Sequence, residues 1–234
     1  MIIIKKLNII YLIYGNINQI DNKMNTENMK ETSLVEEIPM DILIQFTNII
    51  TKFSKEDITS TKPGSVNYLI YGTEKSRQSV SIKLGKIIGE EFIKMLIVKR
   101  FELLECGILC VSFDKKKKDF DLIWKDQEKK TIYYRESKGN MELDTEKLPA
   151  TIKKVNQLKE ELQIKYPEYI INYGLLNWSI YERTDAVGGL TQIKFCEMEG
   201  IKVDHFNDLL NILQYNWEKN DYTNYFRSLG KIIG

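Results

Sequence analysis

Two acidic residues and a lysine near the middle of the chain have types and spacing that suit metal-assisted chemistry. Glu136 and Lys138 stand in residues 131–140, a run that begins with β-branched and aromatic residues and is typical of a strand. Residues two apart on a strand lie on one face, so these two side chains are expected side by side. Asp121 lies in a similar run before a charged turn at residues 125–130, so a β-hairpin would bring it within reach.

The chemistry that this set would support is hydrolysis of a phosphodiester bond. Two converging carboxylates form a site for a hard divalent cation such as Mg²⁺, which prefers oxygen ligands and keeps several of its waters. A lysine beside that metal can help to deprotonate an attacking water or can stabilise charge on a phosphate. The alternative is a charged strand pair on a solvated face, which a lone Glu-x-Lys tripeptide would favour. Asp121 and the elements on either side of the hairpin favour a metal site over such a solvated strand pair.

These residues, and the order of elements around them, resemble the PD-(D/E)xK nuclease superfamily and, within it, the type II restriction endonucleases. Asp121 matches the first acidic residue of the motif, and Glu136-Ser137-Lys138 matches its second half. Phe120 stands where the motif has proline. The resemblance covers residues 78–181 and implies an α/β fold: a restriction-endonuclease-like αβββαβ core with a mixed central sheet flanked by helices.

The resemblance also implies roles for these residues in a Mg²⁺-dependent, sequence-specific endonuclease. Asp121 and Glu136 would bind the metal, and the backbone carbonyl of Ser137 is the expected third protein ligand. Lys138 would orient or deprotonate the attacking water. A structure-specific nuclease of DNA repair or recombination with the same fold stays open as an alternative. So does a non-catalytic DNA-binding module, although the intact set of two acids and a lysine argues against it.

The expected partner is double-stranded DNA with a palindromic site, cut by a homodimer. A two-fold symmetric protein naturally matches a two-fold symmetric site. Lys75 and Arg77, in a polar loop, are candidates for DNA contact, as are Asn140 and Lys147 beyond the hairpin. Each of the four could equally cap an element or lie in solvent.

Composition excludes other classes of protein. The 234 residues include 34 lysines and arginines against 33 aspartates and glutamates, so a DNA-binding face would have to be local. The three cysteines have no regular spacing, which argues against a disulfide framework or a zinc site and favours reduced thiols in the cytoplasm. His205 is the only histidine, which excludes mechanisms that need two; we expect it at the start of a helix.

The elements that must position the site follow from hydrophobic periodicity. Helices are predicted at residues 34–53, 81–98, 206–217 and 222–233, and between Asp144 and Pro167. Strands are predicted at residues 101–113, 118–124, 131–140, 169–181, 192–196 and 201–203. The strand–helix–strand crossover that ends at residue 181 implies parallel neighbours. In the helix after Asp144, the lysines Lys153, Lys154 and Lys159 are expected to stay in solvent.

Glu91 has an unusual place in the helix predicted at residues 81–98. On a regular helical wheel it falls on the apolar side, between Leu84, Ile88 and Met95. Burial of an unpaired carboxylate costs roughly several kcal/mol, so Glu91 is expected to have a cation or a lysine as partner. In the resembled family this helix often delivers a further acidic residue to the metal site, and Glu91 is the candidate for it. The alternative is a position at the helix edge or a pair with a structural lysine.

The chain is expected to form one nuclease domain over residues 31–234, with its catalytic core at residues 78–181 and helical elaborations at both ends. Residues 1–30 are expected to be a tail that is disordered or lies upstream of a start at Met24. The apolar residues 1–14 are too short to span a membrane and lack the order of a signal peptide, so no membrane partner is expected.

Overall fold

A computed structural model describes residues 35–52, 69, 84–110 and 117–233 of the chain. The strands are β1 (Glu36–Glu37), β2 (Glu102–Leu103), β3 (Gly107–Cys110), β4 (Lys117–Phe120), β5 (Leu122–Asp126), β6 (Thr131–Lys138), β7 (Ile170–Asn177), β8 (Lys202–His205) and β9 (Tyr215–Asn216). The helices are α1 (Met40–Lys52), α2 (π-helical over Ile87–Phe92, then α-helical over Ile93–Val98), α3 (Lys147–Lys165), α4 (Leu190–Met198), α5 (Phe206–Leu213) and α6 (Lys219–Ile233). None of the helices in these ranges is long and apolar enough to cross a membrane.

A five-stranded mixed sheet forms the centre of the described structure, in the order β2-β5-β6-β7-β8. The pairs β2–β5 and β5–β6 are antiparallel, whereas β6, β7 and β8 run parallel. Helix α3 makes the crossover from β6 to β7, because parallel neighbours need a long connection. The predicted α/β class, with a mixed sheet flanked by helices, is confirmed, as is the β5–β6 hairpin.

Two hydrophobic clusters cover the two faces of this sheet. Tyr133 of β6 belongs to a cluster with residues of α1, α2, α5 and α6, whereas its neighbours Ile132 and Tyr134 belong to a cluster with residues of α3 and α4. This alternation is that of a strand buried on both faces. Glu136 and Lys138 follow Tyr134 at intervals of two, so they lie on the α3 side of the sheet.

The strand predicted over residues 118–124 is broken at Asp121. Strand β4 ends at Phe120 and pairs with β3, whereas β5 begins at Leu122 and pairs with β6. Phe120 joins the α3-side cluster and Leu122 joins the opposite one, although residues two apart on a regular strand share a face. A bend between two sheets therefore leaves Asp121 outside both ladders. The strand predicted at residues 101–113 is likewise divided into β2 and β3, and residues 111–113 lie outside the described ranges.

The C-terminal part differs from the prediction in two elements. Residues 192–196 form part of helix α4, not a strand, and its buried residues Ile193 and Cys196 have helical spacing that a short apolar run does not reveal. Helix α5 ends at residue 213, earlier than predicted, because Gln214 takes a left-handed conformation (φ 59°) that turns the chain into β9. His205 caps the start of α5 together with Asp208, as expected.

Candidate functional site

Glu136 is the centre of the candidate site. It lies near the carboxyl end of β6 and is only 4% exposed. Lys138 Nζ donates a hydrogen bond to Glu136 Oε1 at 2.8 Å, and Lys154 Nζ lies 2.6 Å from Oε2. The Tyr134 hydroxyl donates to Oε2 at 3.1 Å. The predicted proximity of Glu136 and Lys138 is therefore confirmed, and both oxygens of the carboxylate are held by ammonium groups.

Charges decide the ionisation of this cluster. Burial alone would raise the pKa of Glu136, but the ammonium groups of Lys138 and Lys154 outweigh burial and hold that pKa below its ordinary value. Burial and the negative charge of Glu136 raise the pKa of the Tyr134 hydroxyl well above its ordinary value. Glu136 is therefore ionised at neutral pH, and Tyr134 is a neutral donor.

Asp121 is held against β6 by the backbone. Its Oδ2 accepts a hydrogen bond from the Ser137 N–H at 2.8 Å, and the β5–β6 register, extended by one residue, sets Asp121 opposite Glu136. Burial and then the negative charge of Glu136 raise the pKa of Asp121 to about 7. The charges of Lys154 and Lys138 and the Ser137 N–H oppose this rise. The site thus contains two neighbouring carboxylates, one of which loses its proton only near neutral pH.

Asp121 and Glu136 fit a divalent cation in charge and in donor type. Mg²⁺ is commonly held by one or two carboxylates, with waters and substrate phosphates completing its shell. A positive charge between the two carboxylates would relieve the repulsion that raises the pKa of Asp121. Over residues 35–52, 84–110 and 117–233, no three His, Cys, Asp or Glu side chains are grouped so that they could hold a metal ion. The protein would therefore supply few ligands, and the role of the Ser137 carbonyl stays a prediction.

The expectation that Lys154 stays in solvent is wrong. Its side chain is only 21% exposed, close to the 22% of Lys138. Lys154 lies on α3 between the buried residues Ile152 and Val155, at the border of the stripe that faces the sheet. Its long stem crosses that border and brings the ammonium group to Glu136. The sequence shows this border position, and it could have indicated that Lys154 reaches the sheet. Lys153, one residue earlier, is exposed.

The expectation that Glu91 lies on the buried side of α2 is also wrong. Its side chain is 55% exposed, and its carboxylate pairs with Lys94 at 3.2 Å. This matches the alternative prediction, in which Glu91 pairs with a structural lysine. The π-helical turns of Ile87–Phe92 have i→i+5 hydrogen bonds, so successive side chains rotate by less than the roughly 100° of a regular α-helix. Glu90 is the more enclosed acid of this segment, with a side chain 24% exposed.

The π-helical segment is also what fixes the end of β6 from the other face. Ser137 Oγ donates a hydrogen bond to the Gly89 carbonyl at 3.0 Å. A Cβ at Gly89 would collide with the indole of Trp178, so only glycine allows this close approach. The chain around Glu136 is therefore braced on both sides, by α3 and by α2.

A cleft of about 380 Å³ opens beside the two lysines of Glu136. Its lining consists of Lys138, Leu143, Lys147, Ala150, Thr151 and Lys154. Lys147, a predicted DNA contact, thus shares one cleft with Lys138, although its ammonium group also pairs with Asp144 at 2.8 Å. Asn140 is exposed just beyond β6. Lys75 and Arg77 lie outside the described residues.

This arrangement can bind a cation at two carboxylates, attract a phosphate to its lysines, and hold a proton that is lost near neutral pH. No protein-family model, no curated protein and no solved structure matches the chain. The function is therefore inferred from the geometry and charge of the site itself.

Proposed function

We propose that this chain is a type II restriction endonuclease, a Mg²⁺-dependent enzyme that hydrolyses phosphodiester bonds of double-stranded DNA at a PD-(D/E)xK site. The observation that carries the proposal is the convergence of Asp121, Glu136 and Lys138 at one end of the β5–β6 hairpin. Their spacing along the chain is that of the motif, and their geometry allows the roles that the motif assigns.

The arrangement of the sheet supports the fold that this proposal requires. Helix α2 precedes β2, β5 and β6, and helix α3 precedes β7. With the separate β3–β4 pair, which lies between β2 and β5 in the chain, set aside, the neighbouring strands β2-β5-β6-β7 follow an αβββαβ order. Two antiparallel pairs followed by a parallel one give the mixed sheet of such a core. We propose a restriction-endonuclease-like core on this basis, with α1, α4, α5 and α6 as elaborations.

In this mechanism Asp121 and Glu136 would hold Mg²⁺, which would supply Lewis acidity and positive charge at the scissile phosphate. Both carboxyl groups must be ionised for this, and Asp121 is the one whose pKa of about 7 resists ionisation. The Lys138 ammonium, 2.8 Å from Glu136 Oε1, would orient the attacking water and stabilise charge that develops on the phosphate.

The substrate proposal rests on the cleft beside this site. Lys138 and Lys147 line it, and ammonium groups in a cleft attract the phosphate backbone without regard to base sequence. Asn140, exposed at the end of β6, is a proposed base or backbone contact. We further propose that two copies of the chain act together on a palindromic site, because isologous pairing matches the symmetry of such DNA.

The experiment that tests this proposal is incubation of the purified protein with long, varied duplex DNA in Mg²⁺ and in EDTA. Wild type is expected to cut the DNA into discrete bands in Mg²⁺ and to leave it uncut in EDTA. Asp121→Ala and Lys138→Ala are expected to lose roughly a hundredfold or more of the rate, while circular dichroism shows an unchanged fold. Lys153→Ala removes an exposed lysine of α3 and should cleave like wild type.

Each other outcome has a definite meaning. Full cleavage by Asp121→Ala or Lys138→Ala would overturn the site assignment. A smear in place of bands would indicate a non-specific or structure-specific nuclease of the same fold. DNA binding without any cleavage would indicate a binding module, and the absence of both would overturn the proposal as a whole.

A further inference from the structure

We propose that Lys154 is a second functional lysine of this site: it holds Glu136 while no divalent cation is bound, and it moves to a DNA phosphate in the adjoining cleft when a cation occupies the carboxylates. This inference rests on the proposed function and deepens it, because the PD-(D/E)xK motif includes Lys138 alone. It is carried by the contacts of Glu136, by the position of Lys154 on α3 and by the lining of the cleft.

The first step concerns the two oxygens of Glu136. Lys138 occupies Oε1 at 2.8 Å and Lys154 occupies Oε2 at 2.6 Å, in a place where the carboxylate itself is only 4% exposed. A divalent cation on Glu136 would stand close to both ammonium groups, and like charges repel strongly where water is scarce. Both lysines therefore cannot keep their present contacts while a cation is bound to the same carboxylate.

The second step concerns which lysine leaves. Lys138 is on β6, two residues from Glu136 on the same face, so its ammonium group stays near the carboxylate. Lys154 belongs to a different element, α3, and reaches Glu136 with a flexible four-carbon stem. A change of rotamer frees Lys154 without any movement of the backbone, so it is the lysine that can exchange partners.

The third step concerns where the freed ammonium group goes. Lys147, Ala150 and Thr151 precede Lys154 by seven, four and three residues, so all four lie on one face of α3. This face lines the cleft of about 380 Å³. An ammonium group that leaves Glu136 therefore faces a space that already contains two other lysines, Lys138 and Lys147. A phosphodiester group is the ligand whose charge suits that surface.

The experiment compares Lys154→Met with Lys153→Met. Both variants remove one positive charge from the same turn of α3, but only Lys154 contacts Glu136. The first readout is the affinity of the DNA-free protein for Mn²⁺, measured by calorimetry. Lys154→Met is expected to bind Mn²⁺ several-fold more tightly than wild type, because a competing ammonium group is gone. The second readout is the affinity for a labelled duplex in Ca²⁺, measured by fluorescence anisotropy, which is expected to fall several-fold.

Tighter binding of Mn²⁺ together with weaker binding of DNA distinguishes the proposed exchange of partners from a purely structural role of Lys154. A lysine that only supports folding would weaken both affinities or neither, and the Lys153→Met control reports the effect of net charge alone. Lys154→Gln, which keeps a donor for Glu136 without the charge, repeats the test should Lys154→Met not fold. The plot of log affinity against log salt should also lose roughly one unit of slope in the Lys154 variants.

Failure of the inference is distinguishable from failure of the proposed function. If wild type binds Mn²⁺ and DNA but Lys154→Met behaves like Lys153→Met, the role of Lys154 is overturned and the nuclease proposal stands. If wild type binds neither Mn²⁺ nor DNA, the proposed function is overturned and the inference is overturned with it.

Discussion

Arg135 and Glu136 are neighbours on β6, yet they anchor two charge clusters of opposite character on the two faces of the sheet. The Arg135 guanidinium donates from Nε to Asp204 Oδ2 at 2.7 Å, and from Nη1 and Nη2 to the backbone carbonyls of Tyr134 and Asn172 and to the Asn172 side chain. The side chains of Arg135 and Asp204 are each 1% exposed. Around Glu136, by contrast, both lysines keep about a fifth of their surface in solvent, at 21% and 22%.

This difference separates a structural ion pair from an exchangeable one. The donors of Arg135 meet fixed oxygens inside the fold, so this cluster has little freedom to accept a ligand. Lys138 and Lys154 both border a cleft, and we expect Lys154 to change partners when a cation or a phosphate binds. We therefore expect the Arg135 cluster to govern folding and the Glu136 cluster to govern chemistry.

The largest expected change in stability is that of Arg135→Met. This substitution leaves the Asp204 carboxylate buried without its guanidinium partner, although Lys202 Nζ still lies 2.7 Å from Oδ1. Loss of one partner of a buried pair costs about 3 to 5 kcal/mol. Urea unfolding monitored by circular dichroism would measure this loss, and adding Asp204→Asn should recover part of it, because a neutral amide is cheaper to bury than an unpaired carboxylate.

Glu136→Gln is the matched control for that comparison. Lys138 and Lys154, which pair with Glu136, both reach solvent. The free energy of unfolding should therefore change by only a small fraction of the Arg135→Met loss. A cost for Glu136→Gln equal to that of Arg135→Met would contradict the division between a structural and an exchangeable cluster.

The next expected effect depends on pH and concerns Asp121→Asn. The pKa of Asp121 is raised from 3.8 to about 7 in the folded protein, so wild type loses stability as the pH rises from about 4 to 7 and keeps the full loss above pH 7. Below about pH 4 the carboxyl is protonated in both states and has no effect. In EDTA, Asp121→Asn should therefore be more stable than wild type above pH 7, by at most about 4 kcal/mol, and equally stable at low pH. Thermal melts over this pH range would measure the difference.

Asp144→Asn should show the opposite behaviour. The pKa of Asp144 is lowered, first by the hydrogen bond from Lys147, so its charged form favours folding and the variant should gain no stability at high pH. A gain for Asp144→Asn equal to that of Asp121→Asn would indicate a general charge effect and not the enclosure of Asp121.

The smallest expected effect concerns the support of β6 by α2. Gly89→Ala would push a Cβ into the indole of Trp178 and displace the carbonyl that accepts the Ser137 hydroxyl, at a cost of about 1 to 3 kcal/mol. A Cβ at Gly85 would meet no atom of the described residues within 4 Å, so Gly85→Ala should instead gain about 0.5 to 1 kcal/mol. Thermal unfolding of the two variants measures both changes; equal gains would show that helix propensity, and not contact with Trp178, decides the effect of alanine at these positions.

Local patterns predicted much of the framework. The alternation in residues 131–138 determines a strand with Glu136 and Lys138 on one face, and the charged turn before it determines an antiparallel hairpin. The apolar run before Tyr181 predicted β7, and the helix between the two strands predicted their parallel pairing. These features follow from neighbours in the sequence, which is why periodicity reveals them.

The positions of Asp121, Glu91 and Lys154 depended on contacts that periodicity does not contain. A bend between two sheets places Asp121, and a π-helical segment rotates Glu91 into solvent. Lys154 reaches Glu136 because the packing of α3 on the sheet brings the two side chains together. The amino-acid sequence by itself thus determined that Glu136 and Lys138 share one face of a strand and that Asp121 precedes it in a hairpin. The tertiary structure decided which of them meet, because the packing of helices across a sheet sets distances between residues that are far apart in the chain.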